Sequence, residues 1–344
     1  MAELQDRPES PVADGALAPD ERRSEGSEAT GWSAVIARWA RRNSAVASVT
    51  VVLVAIVVFT AIRSDRFLTA GNIRNVLLQS AVLAIVASGM TLLMVSGGID
   101  LSVGAMASLV GVVAAEMMND GGSVFLAIIT ALALSTTIGA TNGVLAAYSR
   151  SHPFIVTLGV GILLRGIAVR ITDGLPISGL PQGFNRFASN QSLGLANPVW
   201  FAIGALILVA LVLRYTVFGR RLYAIGGNST AAELAGVRVR RQKIALYAVN
   251  GLLVGVAALL LTSRISSASA FMGDGLELRA IAAVAVGGTP LAGGRGGVGG
   301  TLIGVLLLGV ISNSLNLLGI ESAWQDVIEG SVVVVAVMSQ RSRT

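Results

Sequence analysis

Apolar runs follow one another along most of this chain, separated by short breaks of polar residues or glycine. A run of about 18 or more such residues is long enough to cross a bilayer as a helix. The pattern predicts ten crossings, at 45–62, 76–95, 102–118, 124–147, 153–171, 198–214, 244–262, 278–292, 298–318 and 323–338. The runs are continuous, whereas a transmembrane β-barrel would show short alternating segments. The expected fold class is therefore all-α: a polytopic helical membrane protein of about ten transmembrane helices. The eighth run is short and rich in glycine, which predicts a half-helix or re-entrant segment in place of a full crossing.

Before the first run the pattern changes. Residues 1–30 carry eight acidic side chains against three arginines, with many Pro, Ser and Gly, and read as a disordered acidic tail. A signal peptide would need a basic start and an early apolar stretch. In residues 31–43, Trp32, Val35, Ile36 and Trp39 share one helical face while Arg38, Arg41 and Arg42 lie on the other. That spacing predicts an amphipathic helix lying on the membrane surface, followed by a membrane domain over 44–340.

The chain is 53% hydrophobic and 13% charged, with a formal net charge of +6. The acidic tail hides a larger basic excess in the remainder, and its distribution orients the chain. The segment 215–243 holds Arg220, Arg221, Arg238, Arg240, Arg241 and Lys243 against Glu233 alone, and Arg214 precedes it. Arg150 follows the fourth run, and Arg341 and Arg343 follow the tenth. With both termini in the cytoplasm all of these clusters face inward, as the positive-inside rule requires. Arg63, Arg66 and Arg74 beyond the first run oppose this arrangement, and Asp65 offsets one of them. No series of base-stacking aromatics accompanies the basic residues, so nucleic acid is not an expected partner; the lipid bilayer is.

Missing residue types exclude several chemistries. Cysteine is absent, histidine occurs once as His152, and lysine once as Lys243. A disulfide framework, a bis-histidine haem and a histidine-based metal cluster are thereby excluded, and no cofactor or metal is expected. The lone lysine, in "RRQKIA", rules out a GxxxxGK[ST] phosphate loop, so the chain cannot hydrolyse ATP through such a loop. The stretch "GGRGGVGG" from Gly293 to Gly300 joins two apolar runs without a preceding strand, which favours close backbone approach or a flexible joint over dinucleotide binding. Carboxylates within the runs are few: Glu116, Asp326 and Glu329. An ion-coupled carrier would be expected to hold several ionisable groups near the midplane. Amides are present instead, at Asn142, Asn250, Asn313 and Asn316, where they either hold helices together or line a path. Arg165 lies roughly 18 Å along its helix from Pro153, and can snorkel outward, line a cavity or pair with a carboxylate.

The break "VSGGIDLSVGAM", Val95 to Met106, places two glycines, an aspartate and a serine between two apolar runs. A carboxylate at bilayer depth is costly, and non-helical backbone there is tolerated only inside protein or beside a water-lined cavity. The simplest account is a tight joint opened by Gly97 and Gly98, with Asp100 or Ser102 capping the next helix; direct contact with a transported solute is the alternative. A second glycine break, "GGTPLAGGRGGVGGTLIG" at 287–304, suggests an internal duplication. Runs two to five set against seven to ten would be offset by an odd number of crossings, which makes an inverted repeat.

At these residues the chain resembles the ribose-type permeases, the membrane subunits of ABC sugar importers. "FLTAGNIRNVLLQSA" (67–81), "TLGVGILLRGIA" (157–168), "AIGGNSTAAELAGVRV" (224–239) and the long stretch 277–319 carry the resemblance beside 95–106, and together it covers about 45–338. The resemblance implies a non-catalytic permease subunit in a prokaryotic plasma membrane that moves a monosaccharide or related polyol inward. It also implies three protein partners: a cytoplasmic ATPase subunit, an extracytoplasmic sugar-binding protein and a second permease copy. It assigns ATPase coupling to the Ala-Ala-x3-Gly core Ala231, Ala232 and Gly236, with Asn228, Glu233 and Leu234 in the same short segment. Asn228 or Ser229 can cap a short helix there and Gly236 can end it. Glu233 follows the alanines where other importer classes place a glutamate before them, so that role is not carried over. Gly97, Gly98, Asp100, Ser102, Asn142, Arg165, Asn250 and Asn313 are the candidates for the helix break and translocation path. Permeases for branched-chain amino acids or nucleosides, and a secondary carrier acting alone, are the competing expectations.

Overall fold

The computed structural model describes residues 44–149, 152–321 and, between 323 and 334, residues 323–325, 327–328, 330–331 and 334. The expected acidic tail and surface helix, Arg150, Asp326, Glu329, Arg341 and Arg343 lie outside the described residues. The helices are α1 (Ser44–Arg63), α2 (Ala70–Val95), α3 (Val103–Asn119), α4 (Val124–Tyr148), α5 (Pro153–Thr172) and α6 (Gln182–Ser189). They continue with α7 (Asn197–Tyr215), α8 (Val217–Gly227), α9 (Ser229–Leu234), α10 (Val239–Ile265), α11 (Leu276–Val286) and α12 (Val298–Leu317). Beyond them, 323–334 is helical wherever it is described.

Among the described residues seven helices (α1, α2, α4, α5, α7, α10 and α12) are long and apolar enough to cross a membrane. Burial sorts them. Most of α2 is enclosed by other helices, whereas α1 exposes Val51, Val54, Phe59 and Ile62 along its length. Helices that are apolar all round and enclosed form the centre of a membrane bundle, and those exposed on one side meet lipid. The eighth run is indeed short: α11 has 11 residues and rises only about 16 Å. The second run starts at Ala70, capped by Thr69, and the seventh at Val239, so both helices exceed their expected extents. The segment 172–197, between the fifth and sixth runs, holds α6 and three short strands. Strand β1 (Ile177–Ser178) pairs with β4 (Ser267–Ala268), and β2 (Gln191–Ser192) with β3 (Leu195–Ala196). Two-residue strands carry too little periodicity to be visible in sequence.

The bundle has a basic end, carrying α8, α9 and the arginines around them, and an opposite end, carrying α6 and the small sheets. Helices α2 and α10 are antiparallel and central, and each is followed by a joint that turns back into the bundle, at 96–102 and 266–275 respectively. After its joint each chain starts a shorter helix, α3 or α11, and the two starts meet. A Cβ on Gly104 would lie 2.4 Å from the Gly273 carbonyl oxygen, and one on Gly273 would lie 2.2 Å from that of Gly104. This reciprocal contact between antiparallel units is the form an inverted repeat takes. It also corrects the motif match drawn above. The breaks at 96–98 and 287–289 both sit at the basic end, whereas inverted copies carry equivalent joints at opposite ends; the counterpart of 96–102 is 266–275.

The largest helix–helix contact joins α4 and α10 through small residues. Ser135 and Gly139 on α4 face Gly251 and Gly255 on α10, and a Cβ on Gly251 would sit 2.3 Å from the Ser135 carbonyl oxygen and 3.0 Å from the Gly139 Cα. Such small-residue seams let membrane helices approach until their backbones touch. Gly251→Val is accordingly expected to cost about 1–3 kcal/mol through overpacking. Gly159→Ala, where a Cβ meets nothing within 4 Å, is the neutral control. Thermal unfolding in detergent checks both: a lowered midpoint for the first alone is the expected result.

Candidate functional site

The joint 96–102 begins where α2 ends. Gly97, at φ 76°, adopts the left-handed conformation that closes a helix. The Gly98 amide donates to the Leu93 carbonyl at 2.9 Å and the Gly97 amide to that of Met94 at 3.0 Å. These two bonds cap the end of α2. Ser102 precedes α3 with helical backbone angles and its side chain makes no cap bond; of the two expected caps, Asp100 is the one that accepts an amide there, that of Ser102.

Asp100 also ties the joint to two other helices, α4 and α10. It is fully buried. One carboxylate oxygen accepts from the Ser102 amide at 2.9 Å and the Ser102 hydroxyl at 2.6 Å, and the other accepts from Asn250 Nδ2 on α10 at 3.1 Å. Asn142 Nδ2 on α4 donates to Ser102 Oγ at 2.7 Å and lies 3.4–3.5 Å from both carboxylate oxygens. The Tyr247 hydroxyl donates to the Ile99 carbonyl at 2.9 Å, and the Leu101 amide donates to Thr157 Oγ1 on α5 at 3.0 Å. Each residue from Ile99 to Ser102 is thus held by a neighbouring helix. Gly161, about 12 Å into α5 from Pro153, packs on Ser102, where its Cβ would lie 3.3 Å from the Ser102 Cα. The joint therefore climbs well inside the bundle.

The other candidates scatter. Asn313 on α12 exchanges paired amide hydrogen bonds of 2.9 Å with Asn72 at the start of α2, so it joins two helices at the opposite end. Asn316 accepts from Gln325 at 3.1 Å. His152 is exposed and accepts from the Phe154 amide at the start of α5. Of the fates open to Arg165, the structure shows the ion pair, with Asp274 in the joint 266–275; its guanidinium also lies 5.9 Å from the centre of the Phe271 ring.

A polar cavity of about 240 Å³ lies beside that ion pair, between α2, α10, α11 and α12. Its polar lining is Gln79, Ser80, Arg264, Asp274, Arg279 and Ser312. Asp100, Asn142, Asn250 and Asn313 do not border it. None of the six was singled out from sequence, although two signals were present: the polar pair in "LLQSA", and the cluster of charges in "GDGLELRA" where the chain re-enters the bundle.

At the basic end, 215–243 is mostly helical, comprising α8, α9 and the start of α10. Asn228 caps α9, its side chain accepting from the Ala231 amide at 2.9 Å. Gly236, at φ 84°, closes it, with the Val237 amide on the Ala232 carbonyl at 3.0 Å and the Gly236 amide on that of Glu233 at 2.9 Å. Ala232 is buried against Ile225 and Val239. Ala231, Glu233 and Gly236 are exposed, and Leu234 is 86% exposed. Helix α8 reaches from there to both glycine breaks. A Cβ on Gly226 would lie 2.0 Å from the Val95 carbonyl oxygen and 2.5 Å from the Gly294 amide. The Gly294 amide donates to that same Val95 carbonyl at 2.9 Å, and the Tyr223 hydroxyl donates to the Gly296 carbonyl at 2.8 Å. Burial pushes the Tyr223 phenol above its ordinary range, which keeps it a proton donor. "GGRGGVGG" is thus a site of close backbone approach.

Asp100→Ala removes the acceptor of the Ser102 amide and of Asn250, and each buried donor left unmade costs about 1–3 kcal/mol. The expected outcome is a protein that unfolds at lower temperature in detergent, with Asp100→Asn less affected. Any solute preference should be unchanged in the fraction that folds, and an altered preference at normal stability would contradict this role.

Comparison with known proteins now adds the chain's relations. The pattern of the family "Branched-chain amino acid transport system / permease component" matches residues 72–337. The ribose import permease of Escherichia coli strain K12 is 43% identical over 294 residues, covering 83% of this chain and 91% of that protein. The ribose import permease of Bacillus subtilis strain 168 is 42% identical, covering 84% and 90%. The D-allose transport system permease of Escherichia coli K12 is 35% identical, covering 85% and 90%. No solved structure gives a significant match. The chain is a polytopic membrane protein that belongs to this family of transport-system permease components.

Proposed function

We propose that this chain is the membrane-spanning, non-catalytic subunit of an ABC importer that carries a monosaccharide or related polyol into the cell, and that ATP is hydrolysed by a separate cytoplasmic subunit. The observation that carries this reading is identity of 34–43% with permeases named for ribose, allose and xylose, each match covering more than four fifths of both chains. The basic end faces the cytoplasm by the positive-inside rule, which puts both termini inside. An extracytoplasmic sugar-binding protein delivers the solute to the opposite end, and a second copy of the chain completes the path. The exposed face of α9, with Ala231 and Leu234, suits seating in a groove of the ATPase subunit. A push on α9 reaches α8, and α8 touches the end of α2 through Gly226 and the turn between α11 and α12 through Gly226 and Tyr223.

The family description names branched-chain amino acids, which makes a permease for those solutes the second reading. Ligand binding by the cognate soluble receptor separates the two. A secondary carrier acting alone is opposed by the scarcity of ionisable groups along the crossings.

Two experiments test the leading reading. The purified chain without its ATPase should accumulate no sugar against a gradient in proteoliposomes, and accumulation would overturn the reading. Gly236→Pro cannot hold the φ of 84° that closes α9. It should reduce co-purification of the ATPase subunit, and undiminished co-purification would count against docking there.

A further inference from the structure

The cavity beside the Arg165–Asp274 pair has chemistry that the pin at Asp100 lacks. Its mouth carries the exposed Arg264, Asp274 and Arg279. Charged groups at this depth do not face lipid; they face protein or a watery path. Gln79 lies about 14 Å into α2 and Ser312 about 8 Å from the end of α12, so the cavity occupies the half of the bundle away from α9. The Ser80 hydroxyl borders it, is buried, and has no hydrogen-bond partner among the described residues. A buried hydroxyl left unmade costs about 1–3 kcal/mol, a cost that a bound solute or water removes. Gly309 lies directly against this hydroxyl: a Cβ there would sit 2.1 Å from Ser80 Oγ.

The rest of the lining fits one kind of solute. Drug-sized ligands fill roughly 300–1,000 Å³, so this cavity suits something smaller, such as a single sugar ring. A carboxylate accepts from neighbouring hydroxyls, guanidinium groups donate to hydroxyl and ring oxygens, and the amide of Gln79 does either. Leu83, Leu261 and Leu308 supply an aliphatic wall for the C–H face of such a ring. Asp274 and Arg279 belong to the chain that re-enters the bundle, and Gly273 beside them contacts Gly104 at the start of α3. The Gly273 amide also donates to Ser108 Oγ at 3.0 Å. The same backbone that borders the cavity is therefore attached to the pinned helix.

We propose that this cavity is an intramembrane subsite for a neutral polyhydroxylated solute, occupied after release from the binding protein and before passage to the basic end, with Gln79, Ser80 and Asp274 as its hydroxyl-binding residues. This rests on the reading of the chain as a sugar-importer permease and adds where within it the sugar pauses.

The chain has no cysteine, so Ser312→Cys places a single thiol in the cavity. The complete importer, reconstituted in proteoliposomes with its ATPase subunit and binding protein, is assayed for uptake of D-ribose, D-allose and D-xylose before and after reaction with a bulky methanethiosulfonate. Uptake is compared with that of the same variant before reaction. After reaction it should fall at least about tenfold, while stimulation of ATP hydrolysis by the loaded binding protein persists. Gln79→Leu should reduce uptake in the same selective way without any reagent. An unreactive thiol, unchanged uptake after modification, or loss of uptake together with stimulated hydrolysis would each overturn the subsite. Failure of the unsubstituted importer to carry any of the three sugars, with hydrolysis still stimulated, would overturn the sugar reading instead.

Discussion

Backbone that leaves helical geometry inside a bilayer must find its hydrogen bonds in protein, and the segment from Ser96 to Ser102 shows what meeting that demand requires. A left-handed glycine closes α2, Tyr247 takes up the Ile99 carbonyl, Thr157 takes up the Leu101 amide, and a buried carboxylate takes up the Ser102 amide. The partners come from α4, α5 and α10, so satisfying one short joint fixes the mutual positions of the central helices. The carboxylate suits this place because it accepts several hydrogen bonds at once; an apolar residue at position 100 would leave those donors bare.

From that joint a continuous series of contacts runs in two directions. Toward the basic end, Val95 meets Gly226 and Gly294, which links α2 to α8 and to the turn after α11. Toward the opposite end, Gly104 meets Gly273, and the re-entrant chain continues to Asp274 and the polar cavity. At each junction main chain meets main chain, and at Gly104 the Glu277 side chain lies against the same contact. A displacement of α8 is therefore passed on as a movement of helix ends.

Much of this architecture was legible from the pattern of apolar runs. The fourth, fifth, sixth and ninth runs match their helices to within a residue or so, because hydrophobic length is a strong signal when lipid is the solvent. Asn228 and Gly236 bound α9 as their residue types suggest. The break at Val95–Met106 was visible, but its internal wiring was not. The partners of Asp100 lie 42 and 150 positions away, and no local pattern encodes such a pairing. The pairing of glycine breaks went astray for a similar reason: glycine content marks a joint without saying which end of the bundle it occupies. Gln79 and Ser80 on one apolar helix and Ser312, beside Asn313, on another are far apart in sequence, and only the packing shows that they converge.

The meeting of Gly104 and Gly273 has a mechanical consequence. Two main chains touching at one place resist being pushed past one another far more than they resist being tilted. Such a contact behaves as a fulcrum. An inward swing of the segments at the basic end is returned as an outward swing at the far end, so a single rocking stroke can close one entrance while it opens the other.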